Sequence, residues 1–130
     1  MATELEIWEG KLRNIFKEIN DVLEEKYGGL LPLNPVRARH GTTSDPESDG
    51  LFDVGATYST GIGSMYGEGY VLEIRWATLK PVPEEMGKEA EAIAENILNK
   101  RLPDEFPGKN LKVVHDGDVM KIVGDLSLCG

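Results

Sequence analysis

Arg37, Arg39 and His40 lie within one short run, Arg37-Ala38-Arg39-His40-Gly41-Thr42. Two guanidiniums two residues apart point to opposite sides of an extended chain, but in a turn they converge. Converging arginines suit a carboxylate or phosphate, because the planar guanidinium donates two parallel hydrogen bonds. His40 adds a group that titrates near neutral pH. The run sits in a stretch, Gly28 to Gly50, with neither helical nor strand periodicity, which also holds Asp45, Glu47 and Asp49. Connections longer than about 12–15 residues are uncommon in compact domains unless they are functional or disordered. The competing reading is structural: in a chain of net charge -9 these arginines pair with surface carboxylates or bond backbone carbonyls.

The tripeptide Arg39-His40-Gly41 followed by Thr42 resembles the signature of the histidine phosphatase superfamily. The resemblance implies that His40 is a phosphorylated nucleophile and Arg39 a phosphate ligand. It covers four residues. In that superfamily the motif follows a buried N-terminal strand and a second histidine comes late in a longer chain. Here a helical segment precedes the motif and His115 is the sole other histidine. The match is therefore read as accidental, as short motifs often are.

Asp45-Pro46-Glu47-Ser48-Asp49-Gly50 resembles the opening of an EF-hand loop, where side-chain oxygens converge on calcium. The position that should be a bidentate Glu is Ala56, and the flank alternates like a strand, so an EF-hand is rejected. A looser site using Asp45, Asp49 or Asp53 is weaker than a polar turn with an Asx-type bond. Gly61-Ile62-Gly63-Ser64-Met65-Tyr66-Gly67-Glu68-Gly69 matches no phosphate-binding glycine motif. It reads as a hairpin tip, with Met65 and Tyr66 available as a flap or a partner contact. No cofactor fingerprint and no metal ligand set is recognisable.

Regular elements flank these segments. Thr3-Glu4-Leu5-Glu6 reads as a capping box. Leu5, Trp8, Leu12, Ile15, Phe16, Ile19, Val22 and Leu23 follow at helical spacing, ending near Tyr27 with Gly28 or Gly29 as a left-handed cap. Residues 51–58 alternate, with Phe52, Val54, Ala56 and Tyr58 opposite Asp53, Gly55 and Thr57. Tyr70, Leu72, Ile74 and Trp76 alternate with Glu73 and Arg75. Pro81-Val82-Pro83 opens a second helix with Met86, Ala90, Ile93, Ala94, Ile97 and Leu98 as its buried stripe. Lys100 and Arg101 suit its negative end, and Pro103 is expected to stop it. Asp116-Gly117 is a strong type I′ hairpin signal. It aligns His115 with Asp118, Val113 with Met120, Leu111 with Ile122, and Lys112 with Lys121, a like-charged pair expected to be solvated.

These elements predict an α+β fold, a two-layer sandwich of order α-β-β-α-β-β. Two helices pack on one face of an antiparallel four-stranded sheet, as a single domain over residues 1–130. If the long segment folds over the polar sheet face, Arg37, Arg39, His40, Asp53, Glu73 and Arg75 converge in one concave ligand-binding site. The catalytic residues, if any, are not specified.

Bulk properties narrow the partners. Acidic residues number 23 against 14 basic ones. That disfavours nucleic acid and anionic membrane faces, which need a basic surface. No apolar run approaches the length of about 20 residues needed to span a bilayer. Cys129 alone cannot form an internal disulfide, and the opening segment is acidic and amphipathic, so the expected compartment is the cytoplasm. The leading expectation is a domain that binds a small anion without chemistry of its own. A hydrolase or isomerase with His40 as general base, oriented by Asp53 or Glu73, is the alternative, followed by a homodimeric interaction module.

Overall fold

The computed structural model describes residues 3–33, 35, 50–60, 67–116 and 119–124. Two helices and four strands follow the predicted order: α1 (Glu4–Tyr27), β1 (Phe52–Ser59), β2 (Gly69–Trp76), α2 (Glu84–Glu105), β3 (Lys112–Asp116) and β4 (Val119–Val123). The strands form one open antiparallel sheet of order β1-β2-β4-β3. The helices pack on one face, α1 over β1 and α2 against β3.

Helix α1 starts where Thr3 accepts a hydrogen bond from the Glu6 amide at 3.1 Å, satisfying a first-turn donor. Trp8, Leu12, Ile15, Ile19 and Leu23 are buried along its stripe. Val22 is not part of it, because its side of the helix turns outward and leaves the side chain 36% exposed. The expected left-handed cap is also absent: Gly28 has φ -54° and continues the helical turn, donating to Glu24 O at 2.8 Å. Tyr27, buried at that end, stacks with Phe52 and Trp76, whose rings lie 4.5 Å apart across β1 and β2.

Helix α2 runs through Pro103 to Glu105 instead of stopping before it. A proline lacks the amide for one helical bond, yet tertiary contacts hold the last turn. Leu102 and Phe106 are buried in the core, Phe106 N bonds Leu102 O at 2.9 Å, and Lys11 Nζ donates to Glu105 O at 2.9 Å. Trp8 meets Phe106 at 4.4 Å, so the start of α1 packs on the end of α2 and the helices are antiparallel.

Strands β1 and β2 pair in register from Phe52 with Trp76 to Ser59 with Gly69; the expected buried face of β1 holds at Phe52 and Val54 but not at Tyr58, which is 49% exposed toward the end of the strand. The last hairpin is shifted by two residues from the sequence expectation. Asp116 pairs with Val119, His115 with Met120, Val113 with Ile122, Val114 with Lys121, and Lys112 with Val123. Residues 117 and 118, between the two strands, lie outside the described residues. A shift of two keeps every side chain on its expected face, so core packing selects the face but not this register. The expected Lys112–Lys121 pair does not form, and His115 is opposite Met120; Asp118, its expected partner, lies outside the described residues.

Candidate functional site

Strands β1 and β2 turn Asp53, Thr57, Glu73 and Arg75 to the face of the sheet away from both helices, since their neighbours Phe52, Val54 and Leu72 are buried against them. Asp53 is directly opposite Arg75, and Glu73 is opposite Gly55. The nearest ionic approach is Arg75 Nη2 to Glu73 Oε2 at 3.8 Å, with side chains 73% and 48% exposed. An ion pair so exposed is screened and weak, so the guanidinium remains open to a stronger anionic partner. Three of the six candidate ligand-binding residues therefore share one surface. Arg37, Arg39 and His40 lie outside the described residues, as do Asp45, Glu47, Asp49, Met65, Tyr66 and Cys129.

The two ends of the 28–50 segment meet at one turn of α1. Glu24 is buried, and its Oε1 accepts from the Phe52 amide at 2.8 Å. Leu30 N bonds Tyr27 O at 2.9 Å at the exit, and Ala77 N bonds Leu51 O at 2.6 Å at the return. Leu51 and Phe52 are buried at the return, while Leu31 and Leu33 pack half-buried against the core at the exit. A charged acceptor on a buried amide is among the stronger hydrogen bonds a fold contains. Nothing in the sequence pattern distinguishes Glu24 from the many surface glutamates of α1; its position only one helical turn from Gly28 is the sole clue.

Other polar groups are tied into the scaffold. Tyr27 donates its hydroxyl to Glu89 Oε1 at 2.7 Å, and Lys26 pairs with the same oxygen. Burial, then the Glu89 carboxylate, pushes the Tyr27 hydroxyl up to about 12. Lys26 and the Tyr27 hydroxyl hold the Glu89 carboxyl below the usual carboxylate range. Tyr58 donates to Glu68, which raises the Tyr58 hydroxyl above its ordinary value. His115 faces α2, with Nε2 2.9 Å from Glu95 Oε1.

Lys121, expected to be solvated, is only 2% exposed, and its Nζ donates to Gly67 O at 2.5 Å. Gly69 makes room for it: a Cβ there would meet Lys121 Cγ at 3.0 Å and Ile122 O at 2.5 Å. Among the described residues no group of three His, Cys, Asp or Glu side chains is placed to hold a metal ion. Among the same residues no helix is long and apolar enough to cross a membrane.

A protein-family model described as "Uncharacterised protein" matches residues 3–124. A protein of Borreliella burgdorferi, also described as "Uncharacterized protein", is 35% identical over 117 residues, covering 90% of this chain and 91% of that one. No solved structure matches.

Proposed function

This chain belongs to the family matched over residues 3–124, and within it we propose a domain that binds a small anionic molecule and performs no chemistry of its own. Arg37, Arg39 and His40 supply the anion contacts, with Asp53, Glu73 and Arg75 on the exposed sheet face orienting the rest of the ligand. The supporting observation is the Glu24–Phe52 hydrogen bond at 2.8 Å, which roots both ends of the 28–50 segment in the buried core. A long segment anchored at both roots and rich in arginine has the form of a ligand-binding loop on a rigid scaffold. The loosely held Arg75 guanidinium adds a cation to the same side of β1 as Asp53. The reading places the protein in the cytoplasm, among phosphorylated and carboxylated metabolites.

The test is thermal unfolding against phosphorylated, carboxylated and sulfated metabolites, with calcium and magnesium as separate arms. A ligand at 100 times its Kd adds about 2.7 kcal/mol to the folded state. A stabilising anion whose effect disappears in Arg39→Ala is the expected result. A flat panel at high concentration overturns the reading. The open sheet, with β1 and β3 at its edges, favours a second reading as a homodimer joined by edge pairing. A monomeric mass in solution overturns that one.

A further inference from the structure

Strand β3 is an edge of the sheet, and the hydrogen-bond ladder fixes which of its backbone groups point outward. Antiparallel strands bond through alternate residues, turning one set to each neighbour. Ala77 N donates to Leu51 O, so the odd-numbered residues of β1 and β2 bond one another. The even-numbered residues of β2 then bond β4, where Tyr70 pairs with Ile122. Val119, Lys121 and Val123 of β4 therefore bond Asp116, Val114 and Lys112 of β3. Val113 and His115 keep their N–H and C=O groups turned outward, and among the described residues no backbone bond reaches those groups.

The charges along β3 match those of a second copy. Lys112 is exposed and has Val123 opposite it, while Asp116 has Val119 opposite it, so neither meets an opposite charge across the chain's own ladder. In an antiparallel self-pair, outward residues must meet outward residues. Centring that pair on Val114 sets Val113 opposite His115 of the second copy, and His115 opposite Val113, each pair exchanging two backbone bonds. The same register sets Val114 opposite itself and Lys112 opposite Asp116 at both ends, and opposite charges across a ladder are favourable. Centring on Val113 or on His115 loses both charge matches. The other edge has no such match: Asp53 is the one charged residue of β1, and the outward amide of Phe52 already donates to Glu24.

We propose that β3 is the edge through which this chain pairs with a second copy of itself, antiparallel and centred on Val114, so that two four-stranded sheets become one continuous sheet. This rests on the homodimer reading and deepens it by naming the edge and the register. A short edge with a lysine ordinarily discourages pairing. Here the same charges discriminate: they oppose unrelated edges and accept a second β3. A ladder of this length buries little surface, so the association is weak and set by concentration. It uses no residue of the 28–50 segment and is independent of the anion reading.

The experiment measures solution mass over a concentration series for the natural chain, for Lys112→Asp, and for Lys112→Asp combined with Asp116→Lys. The natural chain is expected to dimerise. The single variant sets like charges opposite each other at both ends of the seam and should weaken dimerisation about tenfold. The double variant restores opposite charges and should recover it. A second arm needs no variant and decides the matter if either one fails to fold. In the natural chain, amide hydrogen exchange at Val113 and His115 should slow as concentration rises, while that at Val54 and Ala56 of β1 should not. A monomer at every concentration overturns the homodimer reading and the β3 pairing with it. A dimer whose new protection falls on β1, or whose mass is unmoved by Lys112→Asp, leaves the homodimer reading standing and overturns the β3 pairing. A folded double variant that stays monomeric overturns the register centred on Val114.

Discussion

Replacing Glu24 separates a structural carboxylate from a surface one. Its Oε1 accepts from the Phe52 amide at 2.8 Å, and both residues are buried. Hydrogen bonds to charged groups contribute about 1.5–3 kcal/mol, and a buried amide left without an acceptor costs about 1–3 kcal/mol. These overlap, so Glu24→Ala is expected to lose about 2–3 kcal/mol. Glu24→Gln keeps a neutral acceptor of nearly the same shape and should lose about 1 kcal/mol. For a domain of this size each kcal/mol lowers the midpoint by about 3–5 °C, so the alanine variant should melt about 6–15 °C lower. Urea unfolding gives the free energies, and amide hydrogen exchange at Phe52 gives the local effect, which should accelerate more than the global change requires. If both variants unfold within about 0.5 kcal/mol of the natural chain, as surface substitutions do, Glu24 does not anchor the segment and the argument built on that anchor is wrong.

Two further perturbations probe the scaffold. Tyr27 ionises near 12 in the folded chain against an ordinary value of 10.0, so the unfolded state loses its proton first as pH rises. The Tyr27 contribution is complete below pH 10 and is lost as pH climbs toward 12; the alkaline decline in stability should be shallower in Tyr27→Phe, which itself costs about 1 kcal/mol at neutral pH through the lost bond to Glu89. An identical alkaline decline in both proteins contradicts this. In Gly69→Ala the new methyl meets the Ile122 carbonyl at 2.5 Å, too close for any Cβ, so β2 and β4 must separate. Denaturant unfolding should show a loss of about 1–3 kcal/mol, and an unchanged midpoint would mean that the β2–β4 junction is looser than it stands.

Which elements form, and in what order, follows from local spacing. The α1 stripe, the alternation of β1 and β2, and the Thr3 cap each need only near neighbours in sequence; the cap stands as predicted, the stripe stands except at Val22, and the β1 alternation holds at Phe52 and Val54 but not at Tyr58, which is exposed. Where the sequence reading departs from the structure, distant contacts outweigh a local rule. Pro103 does not end α2 because Leu102, Phe106 and Lys11 hold the last turn. The last hairpin slips by two residues because that shift preserves both faces, leaving turn geometry alone to oppose it. Of the candidate site, the sequence alternation puts Asp53, Glu73 and Arg75 on one face and the cross-strand register then sets them side by side.

The sequence by itself determined the α+β class, the order of elements and the polar face of β1 and β2, because hydrophobic periodicity is written residue by residue along the chain. Only the tertiary structure decided that Glu24, Asn20 and Lys121 are buried among so many similar residues left in water. Burial of a polar side chain depends on what packs over it from far away in sequence, and no local pattern of residue types carries that information.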